Sequence, residues 1–250
     1  MFKNKPVRDL VITMVVVAIV GMGIAWFHYK RINDSIDPRI KHARVLYGKY
    51  DNFTELSSYD SIFLLMDTIE SIYNSTDHYK NSYEKAVLYN NRAAAYLAMS
   101  MQAGNDSLLS ARLPLLESSE KSALTSINII QNWNENFDQK EETVIRDLIR
   151  TGFLKGMDEY DAKEKERYLK YRVKELLEAQ VENSRRLSVA YTNLGMVKRY
   201  QKRYDSAAIF YKKAVDLWDR NLTAENNLNI LLNRPQKKRT LIQKLFPPNK

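Results

Sequence analysis

The stretch AYTNLGMVKRYQKRYDSAAIFYKKAVDLW, residues 190–218, reads as two short amphipathic helices back to back. In its second half Tyr204, Ala207, Ala208, Tyr211, Ala214, Val215 and Trp218 recur at helical spacing and share one face. Leu187, Ala190, Tyr191 and Leu194 do the same in the first half. Gly195, Ala207 and Ala214 are small residues on those faces, so the two backbones can approach to the ~8–10 Å of close helix packing. The stretch is a helical hairpin, and the rest of the chain is read as variations on it.

The order of residues in this hairpin resembles the tetratricopeptide repeat: a bulky aromatic, Leu-Gly, then Tyr, Ala, aromatic and Ala in the second helix. Tyr191, Leu194, Gly195, Tyr204, Ala207, Tyr211 and Ala214 fill those places. Lys198, Lys202 and Asp219 depart from it, standing where the family usually has Tyr, a turn Gly and Pro. Ala190, Asn193 and Leu194 are echoed one repeat period later by Ala224, Asn227 and Leu228, which predicts a further helix in register as a C-terminal cap. The resemblance implies an all-α fold: a tetratricopeptide-like α-solenoid of helical hairpins over residues 38–232, best matched at 184–221 and capped by 223–232.

Upstream of the hairpins, residues 10–27 carry no charge, and as a helix they span about 27 Å, close to the ~30 Å of hydrocarbon. Trp26, Phe27 and Tyr29 stand where interfacial aromatics belong, and Lys30 and Arg31 close the span. The sequence thus predicts a short basic N-terminus (1–9), a transmembrane helix (10–31), a connector (32–37), the helical domain, and a basic tail (233–250). A cleaved signal peptide is the rival reading, but no A-x-A site follows the apolar run. Lysines and arginines flank the span on both sides, so their count does not orient it. A short basic N-terminus held in the cytoplasm as a signal anchor would place the domain on the other side of the membrane, with a cytoplasm-facing domain as the alternative.

The formal charge of +9 sits mostly at the ends. Residues 1–31 hold five Lys/Arg and one Asp, and residues 233–250 hold six Lys/Arg and no acid, so the body is close to neutral. There is no Cys, which excludes disulfides and thiolate metal sites. Only 7 Gly and 6 Pro in 250 residues suit helices better than many-turned sheets.

Within the domain, Asp37-Pro38 reads as an N-cap and first turn. Ser57 with Asp60 reads as a capping box for a helix buried through Tyr59, Ile62, Met66 and Ile69. Residues 82–101 form another first-of-pair helix, with Tyr89, Ala93 and Tyr96 in the family's places, and a partner helix is expected from Pro114 to about residue 130. Residues 132–137 read as a polar loop. Residues 158–178, rich in Lys, Glu, Arg and Tyr with Leu169, Val173, Leu176 and Leu177 still periodic, read as a long solvated helix, and Asn183-Ser184 as the start of the best-matched repeat.

Chemistry is sparse in this pattern. His28, His42 and His78 lie apart without metal-ligand spacing, and no phosphate-binding glycine loop is present, so no catalytic residue, metal or cofactor is assigned. The Asn-x-Ser/Thr triplets at Asn33, Asn52, Asn74, Asn105 and Asn221 are read as caps and turns. Proteins resembling this family hold a peptide or helix in a groove lined by their first helices. Asn91 and Asn193 follow Tyr89 and Tyr191 by two residues, about 200° around the helix, and so point away if the tyrosines pack inward. Met196, Arg199 and Tyr200 share that side. These five residues are the expected partner-binding groove. In the tail Lys237, Lys238, Arg239 and Lys244 are interleaved with apolar residues: the tail reads either as a disordered solubilising end or as a contact with the membrane surface, the latter ahead of nucleic acid. The expected function is a membrane-anchored, non-enzymatic scaffold; the alternative is an accessory subunit or enzyme with a site within residues 101–187.

Overall fold

Side-chain caps at Asp37, Asp161 and Asn221 start three of the helices. In the computed structural model, which describes residues 5–102 and 109–239, every regular element is helical. The first helix, α1 (Lys5–Asn33), buries none of its residues, and Val17, Ile19, Met22, Ile24 and Phe27 are all more than half exposed. With a mean hydropathy of 2.6 over its most apolar window, it is the one helix among the described residues apolar and long enough to cross a membrane. Lys30 Nζ lies 5.1 Å above the Trp26 ring at the end of the apolar run.

The chain leaves α1 through Ser35, whose hydroxyl donates to the Arg31 carbonyl oxygen at 2.8 Å. Asp37 then caps α2 (Pro38–Tyr47), accepting from the Arg39 N–H at 3.0 Å. A short α3 (Tyr50–Glu55) leads to α4 (Tyr59–Asn74), which buries Ile62, Leu65, Met66, Ile69 and Tyr73. The capping box expected at Ser57 and Asp60 does not form. Ser57 takes a φ of 52°, so Ser58 is the N-cap instead, and its hydroxyl donates to that of Ser61 at 2.9 Å.

After a single 3-10 turn (Asp77–Tyr79) come α5 (Tyr83–Gln102) and α6 (Leu109–Phe137), packed through fully buried Ala86, Ala93 and Ala123. Small side chains let the helices approach closely enough for Ser119 Oγ to donate to the Ala93 carbonyl and Ser126 Oγ to the Ala86 carbonyl, both at 2.7 Å. Residues 132–137 are the last turns of α6 and not a loop. Trp133 is buried and stacks on Phe137 at 4.8 Å, so the apolar stripe of α6 continues through the asparagines.

The largest departure from the sequence reading lies in α8. Following α7 (Glu142–Leu154) and a turn at Gly156 (φ 78°), α8 runs unbroken from Ala162 to Tyr200, 39 residues or about 58 Å. A capping box starts it: the Asp161 carboxylate accepts from the Glu164 N–H at 2.8 Å, and the Glu164 carboxylate accepts from the Asp161 N–H at 3.2 Å. No helix begins at Asn183-Ser184, because Leu169, Val173, Leu176, Ala179, Asn183, Leu187, Ala190 and Leu194 form one continuous buried stripe. The 158–178 segment buries Leu169, Val173 and Leu176 as their spacing predicts, but Tyr168, Arg172 and Glu175 among its polar residues are buried as well.

Helix α8 turns back into α9 (Tyr204–Leu217) through Gln201, Lys202 and Arg203. The Arg203 N–H reaches the Lys198 carbonyl at 2.8 Å and the Lys202 N–H the Arg199 carbonyl at 2.9 Å, the paired bonds of a Schellman cap, with Lys202 at φ 61°. The last helix, α10 (Leu222–Leu231), is capped by Asn221. Its Oδ1 accepts from the Ala224 N–H at 3.0 Å while its Nδ2 donates to Ser188 and Thr192 of α8. The packing order is α2 on α4, α4 on α5, α5 on α6, α6 on α8, α8 on α9 and α9 on α10, with α5 also touching α8. Each fully buried Leu or Ile in these seams contributes about 1.5–3 kcal/mol.

Candidate functional site

Where α2, α3, α5 and α8 meet α6, they enclose an open cavity of about 460 Å³. Tyr47 and Tyr50 form one wall, Val87, Asn90 and Asn91 of α5 the floor, and Arg185, Arg186 and Val189 of α8 the other wall. These positions come from the helical periods already described, since Val87, Asn90 and Asn91 lie within about one turn of α5. Along α8, Arg186, Val189, Asn193, Met196 and Tyr200 are spaced by three or four residues and form one stripe. Three of the expected groove residues therefore continue the face that α8 presents to the cavity.

Side-chain bonds join separate helices on this side. Asn91 Nδ2 donates to the Tyr47 hydroxyl, linking α5 to α2. Asn193 Nδ2 donates to Asn90 Oδ1 at 2.9 Å, linking α8 to α5. Arg199 Nη1 donates to Asn227 Oδ1 at 3.1 Å, linking α8 to α10. Asn91 and Asn193 are half-buried, and each retains its carbonyl oxygen as a further acceptor. Met196 is half-buried against Leu97, Leu116 and Val197, whereas Tyr200 is exposed with the Arg112 guanidinium 4.8 Å above its ring. Burial pushes the Tyr47 phenol well above its usual range, so the hydroxyl stays protonated and can donate as well as accept.

Below this face lies a buried ionic cluster that the sequence does not announce. Arg172, 1% exposed, donates through both terminal nitrogens to the Glu84 carboxylate, through Nη1 to Glu175 at 3.3 Å, and through Nε to His78 Nε2 at 3.0 Å. Its guanidinium lies 4.6 Å from the centre of the Tyr79 ring and 5.4 Å from that of Tyr83. Arg44 of α2 pairs with the other oxygen of Glu175. Burial pushes the Glu84 carboxyl up, but the Arg172 charge and hydrogen bonds more than offset this and hold it at about 2. Burial and the Arg172 charge together lower His78 to about 3, so its ring is neutral and accepts from Arg172. The cluster fastens the N-terminal half of α8 to α2, α5 and the 3-10 turn, a positioning role in which every charge has an opposite partner.

A second cavity, about 410 Å³, lies partly in the 101–187 stretch and is lined by Asp77, His78, Asn132 and Asn136 with Trp133 and Phe137. Its ionisable groups are engaged elsewhere: Asp77 pairs with Lys80 at 2.6 Å and Lys155 at 3.4 Å, and His78 Nε2 already accepts from Arg172. Among the described residues no group of three His, Asp or Glu side chains is placed to hold a metal ion. In the tail, Lys237 is clipped onto α10, with its N–H on Asn226 Oδ1 at 2.7 Å and its ammonium on Glu225 at 2.5 Å, while Lys238 and Arg239 are exposed. Lys244 lies outside the described residues. The chain matches no protein-family model, no curated protein and no solved structure.

Proposed function

We propose that this chain is a membrane-anchored protein–protein interaction module. Its tetratricopeptide-like hairpins would hold a partner peptide or helix along the face of α2, α5 and α8, with α10 as the cap of the stack. The observation that carries this reading is the cavity lined by Tyr47, Val87, Asn90, Asn91, Arg186 and Val189, continued along α8 by Asn193, Met196 and Tyr200. Such a surface offers amide donors and acceptors to a peptide backbone, valines to an apolar side chain, and the Arg186 guanidinium to a carboxylate, Arg185 being paired with Glu182 at 2.6 Å. Asp51 is the one acid in that lining, so a partner bearing an acidic residue fits it best. The second cavity favours the other reading, an accessory subunit or enzyme, but its ionisable groups are already paired within the fold.

The anchor holds the domain at a membrane through α1, and we place the domain on the extracytoplasmic side. A reporter fused after Lys250 should then read as exported; a cytoplasmic signal reverses the orientation. For the groove, Val87→Arg with Val189→Arg fills the cavity without touching the bonds between helices. A tagged full-length variant extracted from membranes should lose the partners that co-purify with the unaltered chain and keep its melting temperature. Equal recovery of those partners rejects the groove.

A further inference from the structure

A third cavity, also about 460 Å³, opens between the end of α1 and the N-terminal half of α8. Arg31 and His28 reach it from α1, and Arg167, Lys170 and Lys174 line it from α8 beside Tyr171. Glu142 is the one acid in the lining, against four permanent positive charges. Among the described residues Arg31 and Lys170 have no ion-pair partner, and those of Arg167 and Lys174 are held at 3.8 and 3.6 Å on an open surface, where such pairs are weak. The Nε–H of Arg167 is buried without an acceptor, a donor that an anionic oxygen would satisfy. Ile32 and Leu177 add an apolar edge.

Position decides what the anion is. His28 and Arg31 lie about one turn past Trp26, at the end of the apolar run of α1, where a bilayer changes from hydrocarbon to headgroups. We propose that this cavity binds the phosphate headgroup of an anionic membrane lipid, whose acyl chains run back along the apolar part of α1. The bound lipid would fix the angle between anchor and domain, because it bridges α1 and α8. This inference rests on α1 crossing the membrane and is independent of the groove.

The test uses the full chain in bilayer discs of phosphatidylcholine mixed with phosphatidylglycerol, with native mass spectrometry of the lipids it retains. The unaltered protein should retain phosphatidylglycerol in preference to phosphatidylcholine. Arg167→Gln with Lys170→Gln and Lys174→Gln should reduce that preference by about tenfold or more, since each removed charge weakens attraction to an anionic surface. Lys170→Gln alone, a change at an exposed side chain that fold failure cannot mimic, should reduce it in the same direction. Lys121→Gln with Lys212→Gln, on α6 and α9, should leave it unchanged. An unchanged preference in both cavity variants overturns the proposal. So does binding of inorganic phosphate at these residues without any preference between the two lipids, which would make the site one for a soluble anion.

Discussion

The ring of Tyr211 occupies the space that a side chain at position 195 would need: a Cβ on Gly195 would lie 2.6 Å from both Cδ1 and Cε1 of Tyr211. Tyr211 is fully buried, so the ring has nowhere to retreat. In an open helix Gly195→Ala would gain about 1 kcal/mol from propensity, but here overpacking costs about 1–3 kcal/mol. Gly195→Ala should therefore lower stability by up to about 2 kcal/mol, read from thermal unfolding by circular dichroism. On a Tyr211→Leu background the same change should become neutral or stabilising.

Lys202 closes the α8–α9 turn in the left-handed region that favours glycine. A left-handed lysine costs about 1–2 kcal/mol, part of which glycine returns through its greater freedom in the unfolded chain. Lys202→Gly should raise stability by up to about 1 kcal/mol, while Lys202→Val should lower it. Chemical denaturation of the detergent-solubilised chain would rank the three.

Within the ionic cluster His78 and Glu84 make the fold acid-sensitive, while burial raises the Glu175 carboxyl and so acts in the opposite sense. His78 is lowered from 6.5 to about 3, so the folded state resists a proton that the unfolded chain takes up readily. Its contribution is whole above about pH 6.5 and is lost as the pH falls toward 3. Glu84, lowered from 4.5 to about 2, acts in the same direction in a more acidic window. Stability should fall between neutral pH and about pH 5, with His78 the main source of the slope. His78→Gln keeps an acceptor for Arg172 Nε but cannot titrate, so it should flatten the unfolding midpoint over that range. An equally steep slope in His78→Gln would assign the sensitivity to another group.

Local periodicity carried much of this architecture in the sequence. Ile62, Met66 and Ile69 of α4, and Ala207, Tyr211 and Ala214 of α9, are buried as their helical spacing requires, whereas Tyr204, read as part of the same face, is exposed in the first turn of α9. The apolar run of α1 is likewise legible in residue order alone. What sequence spacing could not reveal depends on distant partners. Arg172 and Glu175 sit in a run of alternating charges that looks like a solvated face, and only Glu84, 88 residues away, makes Arg172 a buried anchor. Asn183 looks like a helix start, yet inside α8 it is buried and donates to Asn134 Oδ1 at 2.8 Å. The candidate groove residues were visible as a face, but their bonds to Tyr47, Asn90 and Asn227 were not, because those arise from packing between helices.

The groove is most directly tested by photo-crosslinking in intact membranes, with a photoreactive phenylalanine placed in turn at Val87, Asn90, Val189 and Tyr200. Leu64 of α4, 70% exposed and outside the cavity lining, serves as control. One defined adduct shared by the groove positions and missing at Leu64 is the predicted result. No adduct at the groove positions, or the same adducts at Leu64, would contradict a partner held along α5 and α8.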